Sequence, residues 1–110
     1  MGYELFVWHE AAPISADAAE AKVREGTFHS HPAVPALRAE LLRHFPPQQA
    51  PGVWAATPQE SDSVLELSCV WSRAGEFGDA VRTLAARHGL VCYEPANRLL
   101  DPNAPASGGR

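Results

Sequence analysis

The residues of this chain that could do chemistry are few and widely spaced. His29, Ser30 and His31 form a His-x-His group just before Pro32. An extended His-x-His segment can supply two of the three or four ligands that zinc needs, but the sequence places no third ligand near this pair. Ser30 does not form a hydrolase dyad with either histidine, because adjacent side chains of an extended segment point apart. We therefore expect no metal here and interpret His31 or Ser30 as the cap of the helix that Pro32 opens.

The two cysteines are the next candidates for chemistry. Cys69 and Cys92 each fall in the middle of a predicted strand, where a cysteine usually serves as a small buried hydrophobe. Another strand is predicted between theirs, which puts their Cα atoms about 10 Å apart. That separation exceeds the roughly 7 Å over which a disulfide can form. We expect two free, slowly reacting thiols.

Two glutamates complete the set of candidate catalytic groups. Glu4 and Glu66 are predicted on neighbouring strands and on the same side of the sheet, as an acid/base pair would be. A solvated sheet face explains them equally well. The sequence contains no glycine-rich phosphate-binding motif, so we assign no catalytic residue and expect no cofactor. Enzymatic activity is left open, and a function without catalysis is favoured.

Composition sets the class of protein. The chain has 110 residues, and its 45% hydrophobic content is enough for one core without metal or disulfide support. We expect a single domain over residues 1–100 and a disordered tail over residues 101–110, which has almost nothing to bury. A net charge of -4 argues against a nucleic-acid partner. With no secretory signal and no apolar run approaching the ~20 residues of a membrane span, we expect a cytoplasmic protein with no membrane association.

Residues 63–94 predict the best-determined part of the fold. Apolar residues alternate in a strand (Leu65, Leu67, Cys69 and Trp71) and then recur at helical spacing from Phe77 to His88. Gly89 ends that helix, and a short apolar strand follows over residues 90–93. The segment is therefore a β-α-β unit.

The elements before residue 63 are predicted in the same way. Residues 3–8 form a strand that is apolar on both sides. A weakly amphipathic helix ends near Gly26 and begins with Ser15 or Asp17 as its N-cap. A stronger helix runs from Pro32 towards Phe45, and a short strand over residues 53–56 leads through a turn at 57–63 into the β-α-β unit.

This order of elements predicts an α+β fold of the ferredoxin-like type, β-α-β-β-α-β. Right-handed connections place strand 1 between strands 3 and 4, with strand 2 outside strand 3. The sheet has four antiparallel strands, and the helices cover one of its faces. Because the first helix is only weakly amphipathic, a second arrangement in which it docks elsewhere stays open.

Several segments together resemble a family of small uncharacterised bacterial proteins. They are Tyr-Glu-Leu-Phe-Val-Trp at 3–8, His-Pro-Ala-Val at 31–34, Trp-Ala-Ala-Thr-Pro at 54–58, Trp-Ser-Arg-Ala at 71–74 and Ala-Arg-His-Gly-Leu-Val-Cys-Tyr-Glu-Pro at 86–95. Glu94 and Ala96 depart from the family pattern, in which Asp and Gln are usual. Some similar proteins look like immunity proteins encoded beside secreted toxins, so the resemblance implies an inhibitory role.

The sheet face turned away from the helices is the predicted functional surface. Its apolar residues are Phe6, Trp8, Val64 and Val70, and Glu4 and Glu66 form a polar rim. Exposed aromatics of this kind are usually buried against a partner. We predict a binding or inhibitory module that acts through protein–protein contacts, most simply with a second copy related by a two-fold axis. The alternative is a small-molecule-binding or catalytic protein using the same face, which would be concave and polar instead of flat and apolar.

Overall fold

A five-stranded antiparallel sheet and three helices make up the part of the chain that the computed structural model describes, residues 2–48 and 52–101. The elements are β1 (Tyr3–Trp8), α1 (Ala16–Glu25), α2 (Ala33–His44), β2 (Trp54–Ala56), β3 (Val64–Cys69), a 3-10 turn (Trp71–Arg73), α3 (Ala74–Arg87), β4 (Val91–Glu94) and β5 (Leu99–Asp101). The strand order is β2-β3-β1-β4-β5. The predicted α+β class is confirmed.

The fifth strand was not predicted. After β4 the chain turns at residues 95–98, where Arg98 adopts a positive φ of 54°, and β5 returns along β4 with Leu100 opposite Tyr93. Leu100 is buried, whereas Leu99 is 53% exposed. Asp101 therefore belongs to β5 and not to the predicted tail. The rest of that tail, residues 102–110, lies outside the described residues.

One face of the sheet, called here the first face, carries the larger core. Leu5 and Val7 of β1 point to this face together with Leu65 and Leu67 of β3. Helices α2 and α3 cover it through their apolar stripes, which comprise Val34, Leu37, Leu41, Phe77, Val81 and Leu84. Burying a side chain of this size stabilises the fold by roughly 1.5–3 kcal/mol, so the stripes determine where these two helices dock.

Helix α1 lies on the opposite side of the sheet, called here the second face. It packs through Ala19 over Trp8 of β1 and Tyr93 of β4, all of them buried. The ring of Phe28 lies 5.1 Å from that of Trp8. The prediction that all helices cover one face is therefore wrong, and the alternative docking of the first helix is the one observed. An alanine-rich helix suits this position because its small side chains let it approach two large aromatic rings closely.

Local signals define both ends of α1. The Ser15 hydroxyl accepts a hydrogen bond from the Ala18 N–H at 3.2 Å, which confirms Ser15 as the N-cap. The helix ends at Gly26, whose φ of 72° is left-handed and favours glycine. Within the helix, Nζ of Lys22 forms an ion pair with Oε2 of Glu10 at 2.5 Å. This ion pair holds the helix against the end of β1.

Trp71 departs from the predicted alternation. Strand β3 ends at Cys69, and the N–H of Val70 donates to the carbonyl of Val53 at 2.7 Å. Trp71 then begins a 3-10 turn, is 59% exposed and lies edge-on to the ring of Tyr3, with the ring centres 5.4 Å apart. The predicted core position of Trp71 is wrong because the chain leaves the sheet two residues earlier than the pattern indicates.

The three helices are short. The longest, α3, has 14 residues, which corresponds to about 21 Å at 1.5 Å per residue. Over residues 2–48 and 52–101, no helix has both the length and the apolarity that crossing a membrane requires.

Candidate functional site

The second face of the sheet is covered over one half and open over the other. Helix α1 covers the half formed by β4, β5 and the end of β1. The half formed by β3 and the start of β1 remains open, with Phe6 and Val64 half-buried at its base. The register places Phe6 opposite Glu66 and Glu4 opposite Ser68, so all four side chains share this face.

This open half is the floor of a groove of about 490 Å³. Glu4, Phe6, Glu60, Ser61, Val64 and Glu66 are among the residues that line it, and we call it the acidic groove. Its volume lies within the roughly 300–1,000 Å³ range of ligand pockets. The groove is therefore a concave surface with an apolar base and polar sides, and not the flat apolar face that the sequence predicted.

Three carboxylates surround this base without a counter-ion from the described chain. Glu4, Glu60 and Glu66 are exposed, and none of them forms an ion pair with a cation in residues 2–48 or 52–101. Glu4 and Glu66 lie diagonally across β1 and β3, which in sheet geometry separates such residues by about 7–8 Å. The result is a concentrated negative charge over an apolar floor.

The outer wall of the groove is the connector between β2 and β3, residues 57–63. Arg38 of α2 holds its start by donating from Nε and Nη2 to the Pro58 carbonyl at 3.2 and 2.9 Å. The backbone N–H of His31 holds the end of the connector by donating a hydrogen bond to the Asp62 carbonyl at 2.8 Å. Within the connector, the Ser61 hydroxyl accepts from the Val64 N–H at 3.2 Å. The wall is thus fastened to α2 and to His31, just before that helix begins, and not to the sheet alone.

A second cluster of polar side chains lies at the start of β1, on the first face of the sheet. Glu94 is 3% exposed and accepts hydrogen bonds from Tyr3, Arg82 and Asn97. Arg82 Nη2 also donates to the Tyr3 hydroxyl at 3.0 Å. Gly78 makes room for the cluster, since a Cβ there would lie 2.8 Å from Arg82 and 3.0 Å from Tyr3.

The chemistry of this cluster is structural. Burial of Tyr3, followed by its hydrogen bond to Glu94, raises the pKa of the phenol to about 12, against the effect of Arg82. A phenol with so high a pKa stays protonated at neutral pH and donates to the carboxylate. Both oxygens of Glu94 are occupied by donors of this chain, so the cluster fastens β1, β4 and α3 together. The buried carboxylate at its centre is thus fully engaged within the chain.

Both thiols are also unsuited to catalysis. Cys69 and Cys92 are free and buried, on two strands that have β1 between them. Burial raises the pKa of Cys69 to about 11 and that of Cys92 to about 12. Because the thiolate is the reactive form, we expect both to react slowly at neutral pH.

The histidines do not form a metal centre in the described chain. His29 is exposed, whereas Nδ1 of His31 accepts the Ala33 N–H at 3.1 Å, which confirms His31 as a cap of α2. Within the described ranges, no three His, Cys, Asp or Glu side chains lie close enough together to hold a metal ion.

The structure brings together four of the six residues predicted for an interface. Phe6, Val64, Glu4 and Glu66 line the acidic groove. Trp8, in contrast, has no exposed surface and belongs to the core beneath α1. Val70, the sixth, lies beyond the end of β3 and bonds to Val53.

Sequence reasoning missed the contribution of the connector. Glu60 and Ser61 line the groove together with Ser68 of β3. The sequence signal for it is the run of polar residues at 57–63, which by itself predicts a simple turn. Its folding towards the second face depends on the contacts of Arg38 and His31, which lie far away in sequence.

Comparison with known proteins adds no family to this geometry. No family model matches the chain, and neither a curated protein nor a solved structure is significantly similar to it. The function therefore has to be inferred from the groove itself.

Proposed function

We propose that this chain is a small binding or inhibitory module that holds a basic segment of a partner protein in the acidic groove. The observation that carries the proposal is the set of three glutamates, Glu4, Glu60 and Glu66, that surround the groove and form no ion pair with any cation of residues 2–48 and 52–101. A partner that supplies arginine or lysine side chains would provide the missing positive charge.

The floor of the groove indicates the shape of the bound side chain. Phe6 and Val64 are half-buried and apolar, and the carboxylates stand around them. Arginine and lysine fit such a surface because their methylene stems pack on apolar groups while their charged ends reach the carboxylates. Arginine is the better match, since its planar guanidinium can bind a carboxylate with two hydrogen bonds and stack on an aromatic ring.

A different partner chain is favoured over the two-fold dimer predicted from the sequence. In a two-fold contact through this face, each copy would present the same patch, so Glu4 and Glu66 of one copy would approach those of the other. Trp8, which was expected to anchor that contact, is covered by α1. An inhibitory module of the kind that the family resemblance implies would instead act by occupying a basic surface of its target.

The proposal also includes a fold type for this module and a location in the cell. The order β2-β3-β1-β4 supports a ferredoxin-like origin of the sheet, with β5 as an added edge strand. Two free cysteines are compatible with the reducing conditions of the cytoplasm. The ferredoxin-like origin of the sheet and the cytoplasmic location are both parts of the proposal.

A small cationic molecule is the second candidate occupant. The concave shape and polar sides of the groove favour it, and so does the volume, because about 490 Å³ would hold a compact ligand as well as two or three side chains of a protein segment. The two candidates differ in the length of ligand that the groove requires. A protein segment gains affinity from several neighbouring positions, whereas a small molecule needs only one.

Binding of defined probes tests the proposal. A peptide of alternating arginine and valine should bind, and the same peptide with glutamate in place of arginine should not. The double variant Glu4→Gln, Glu66→Gln should weaken binding of the basic peptide about tenfold or more at low salt, because it removes two of the three carboxylates. A tenfold loss of affinity corresponds to about 1.4 kcal/mol of binding free energy. Isothermal titration calorimetry measures both.

The control is Glu25→Gln, which removes one exposed carboxylate from α1 outside the groove. It should leave the affinity unchanged within about twofold, since a distant exposed charge is screened. Equal binding to the groove variant and to the wild type would overturn the proposal. Binding of arginine methyl ester as tightly as the peptide would favour the small-molecule candidate instead.

A further inference from the structure

His31 occupies a junction between α2 and the wall of the acidic groove. Its ring Nδ1 accepts the Ala33 N–H at 3.1 Å, and its carbonyl accepts the Val34 N–H at 3.0 Å. Its own N–H donates to the Asp62 carbonyl at 2.8 Å. One residue therefore caps a helix and fastens the end of the connector at the same time.

The ring of His31 is also stacked on that of His9. The two ring centres lie 3.9 Å apart, and the planes differ by 12°. His9 directly follows β1, whose Phe6 forms the floor of the groove. The stack thus joins the strand that forms the floor to the residue that holds the wall.

Protonation of His31 is incompatible with this arrangement in three ways. A protonated Nδ1 cannot accept the Ala33 N–H, so the cap of α2 is lost. The charge would lie at the positive end of the helix dipole, and α2 has no acidic residue in its first turn. If His9 is also protonated, two like charges stand face to face at 3.9 Å.

The surrounding charged groups do not compensate for a proton on His31. Glu10 follows His9 but is already bound by Lys22 at 2.5 Å. Arg38, the cation of α2 nearest the connector, is engaged at the Pro58 carbonyl and would add to the repulsion. Asp62 contributes its carbonyl, and among the described residues no carboxylate forms an ion pair with the His31 ring.

His29 is the remaining titratable group nearby. It is exposed and two residues from His31, where a proton would be screened by solvent. His29 therefore supplies neither a counter-charge nor a hydrogen-bond acceptor to the stack. Histidine is also the side chain whose charge ordinarily changes between about pH 5 and pH 8.

We propose that His9 and His31 form a pH-sensitive latch that holds the wall of the acidic groove in place and releases it when His31 is protonated. Release removes the bond at Asp62 and leaves, among the hydrogen bonds of the described residues, those from Arg38 to the Pro58 carbonyl to join α2 to the connector. The wall then moves away from the floor, and a bound cationic segment loses the contacts of Glu60 and Ser61. This last step rests on the proposed function of the groove, whereas the latch itself does not.

Amide hydrogen exchange, followed by NMR, tests the latch without any ligand. The protection factors of the Ala33 and His31 amides, corrected for the intrinsic effect of pH, should fall about tenfold between about pH 7.5 and pH 5.5. In His31→Asn, whose side-chain oxygen can also cap a helix but does not titrate, both factors should stay constant. A fall of the same size in His31→Asn, or constant protection in the wild type, would overturn the latch.

His9→Phe provides a second variant that keeps a stacked ring without a charge. It should retain the loss of the Ala33 cap in acid but show it at a higher pH than the wild type, because no second charged ring opposes the proton on His31. An unchanged midpoint would show that the stack has no part in the latch.

Binding of the arginine–valine peptide completes the test. Its affinity for the wild type should fall about fivefold more between pH 7.5 and pH 5.5 than its affinity for His31→Asn. If the peptide binds neither protein at either pH, the proposed function fails, and the amide protection still decides the latch. If it binds with the same pH dependence to both proteins, the latch does not control the groove.

Discussion

The two halves of the second sheet face are built from the same strand and have opposite surroundings. On β1, Trp8 points into the half that α1 covers and has no exposed surface, whereas Phe6, two residues away, points into the open half and is half-buried. The covered half also contains Tyr93, which is buried under the same helix. A single short strand therefore serves both a core and a surface groove.

The carboxylates around the two halves also differ, because only those around the covered half are paired with a cation of the described chain. Around the covered half, Glu10 is bound by Lys22 at 2.5 Å, and Glu20 by Arg98 at 2.7 Å. Around the open half, Glu66 and its neighbours have no such cation among residues 2–48 and 52–101. Where this chain covers its own sheet it supplies the positive charges, and where it leaves the sheet open we expect a partner to supply them.

The largest expected effect distinguishes Phe6 and Trp8, the two aromatic residues of β1 that lie on the second face. Trp8→Ala should destabilise the fold by about 3–5 kcal/mol, because it leaves a cavity under α1 and frees the Glu10 carboxylate that accepts the indole N–H at 2.7 Å. Phe6→Ala should cost about 1–2 kcal/mol, since that side chain is only partly buried. Urea unfolding followed by circular dichroism measures both.

The contrast also revises the expectation for a combined Phe6→Ser, Trp8→Ser variant. If both rings lay on a docking face, as the sequence predicts, this double variant would keep its fold. With Trp8 fully buried, we expect the double variant to unfold and the single Phe6→Ser variant to stay folded. Equal losses of stability from Trp8→Ala and Phe6→Ala would mean that the two halves are not distinct.

The parts of this fold that could be predicted are those with a strong period. The apolar run of β1, the alternation in β3 and the 3.6-residue spacing of α3 identify these elements directly. The order β2-β3-β1-β4 follows from right-handed connections between them. The parity of Glu4, Phe6 and Glu66 on one face likewise follows from the two-residue repeat of a strand, which is why the floor of the groove could be assigned but its wall could not.

The parts that could not be predicted depend on long-range packing. Helix α1 has too weak an apolar stripe to indicate which face it covers, and its position is decided by two large rings, Trp8 and Tyr93, that need burial. The Tyr3–Glu94 bond joins residues 91 apart, and no local pattern indicates it. Strand β5 is only three residues long and is defined by its pairing with β4.

A smaller effect is expected from the ion pair that fastens α1. Burial alone would raise the pKa of Glu10, but hydrogen bonds from Lys22 and Trp8 outweigh it and lower that pKa below 4.5. Stability from the lowered pKa is present above pH 4.5 and is lost as the pH falls through the folded-state value. Glu10→Gln should therefore cost about 1 kcal/mol at neutral pH.

The pH dependence of that difference provides the check. Unfolding of the wild type and of Glu10→Gln should converge as the pH falls towards about 3, while Glu25→Gln should follow the wild type throughout. A difference that is constant down to about pH 3 would mean that the amide keeps the contacts of the carboxylate, and that charge does not hold α1 on the covered half.

The smallest expected effect comes from the open half and has the opposite sign. Glu4 and Glu66 lie diagonally on one face, about 7–8 Å apart, where two negative charges repel by about half a kcal/mol in water. Glu66→Gln should therefore raise stability by a few tenths of a kcal/mol at low salt, and the gain should vanish in about 1 M salt. Glu4→Gln should do the same, and the double variant should gain little beyond either one, because only one repulsive pair is removed. A loss of stability from Glu66→Gln would show that this carboxylate has a partner within the chain. The missing cation would then no longer distinguish the open half from the covered one, and the reason for expecting a basic ligand would be lost.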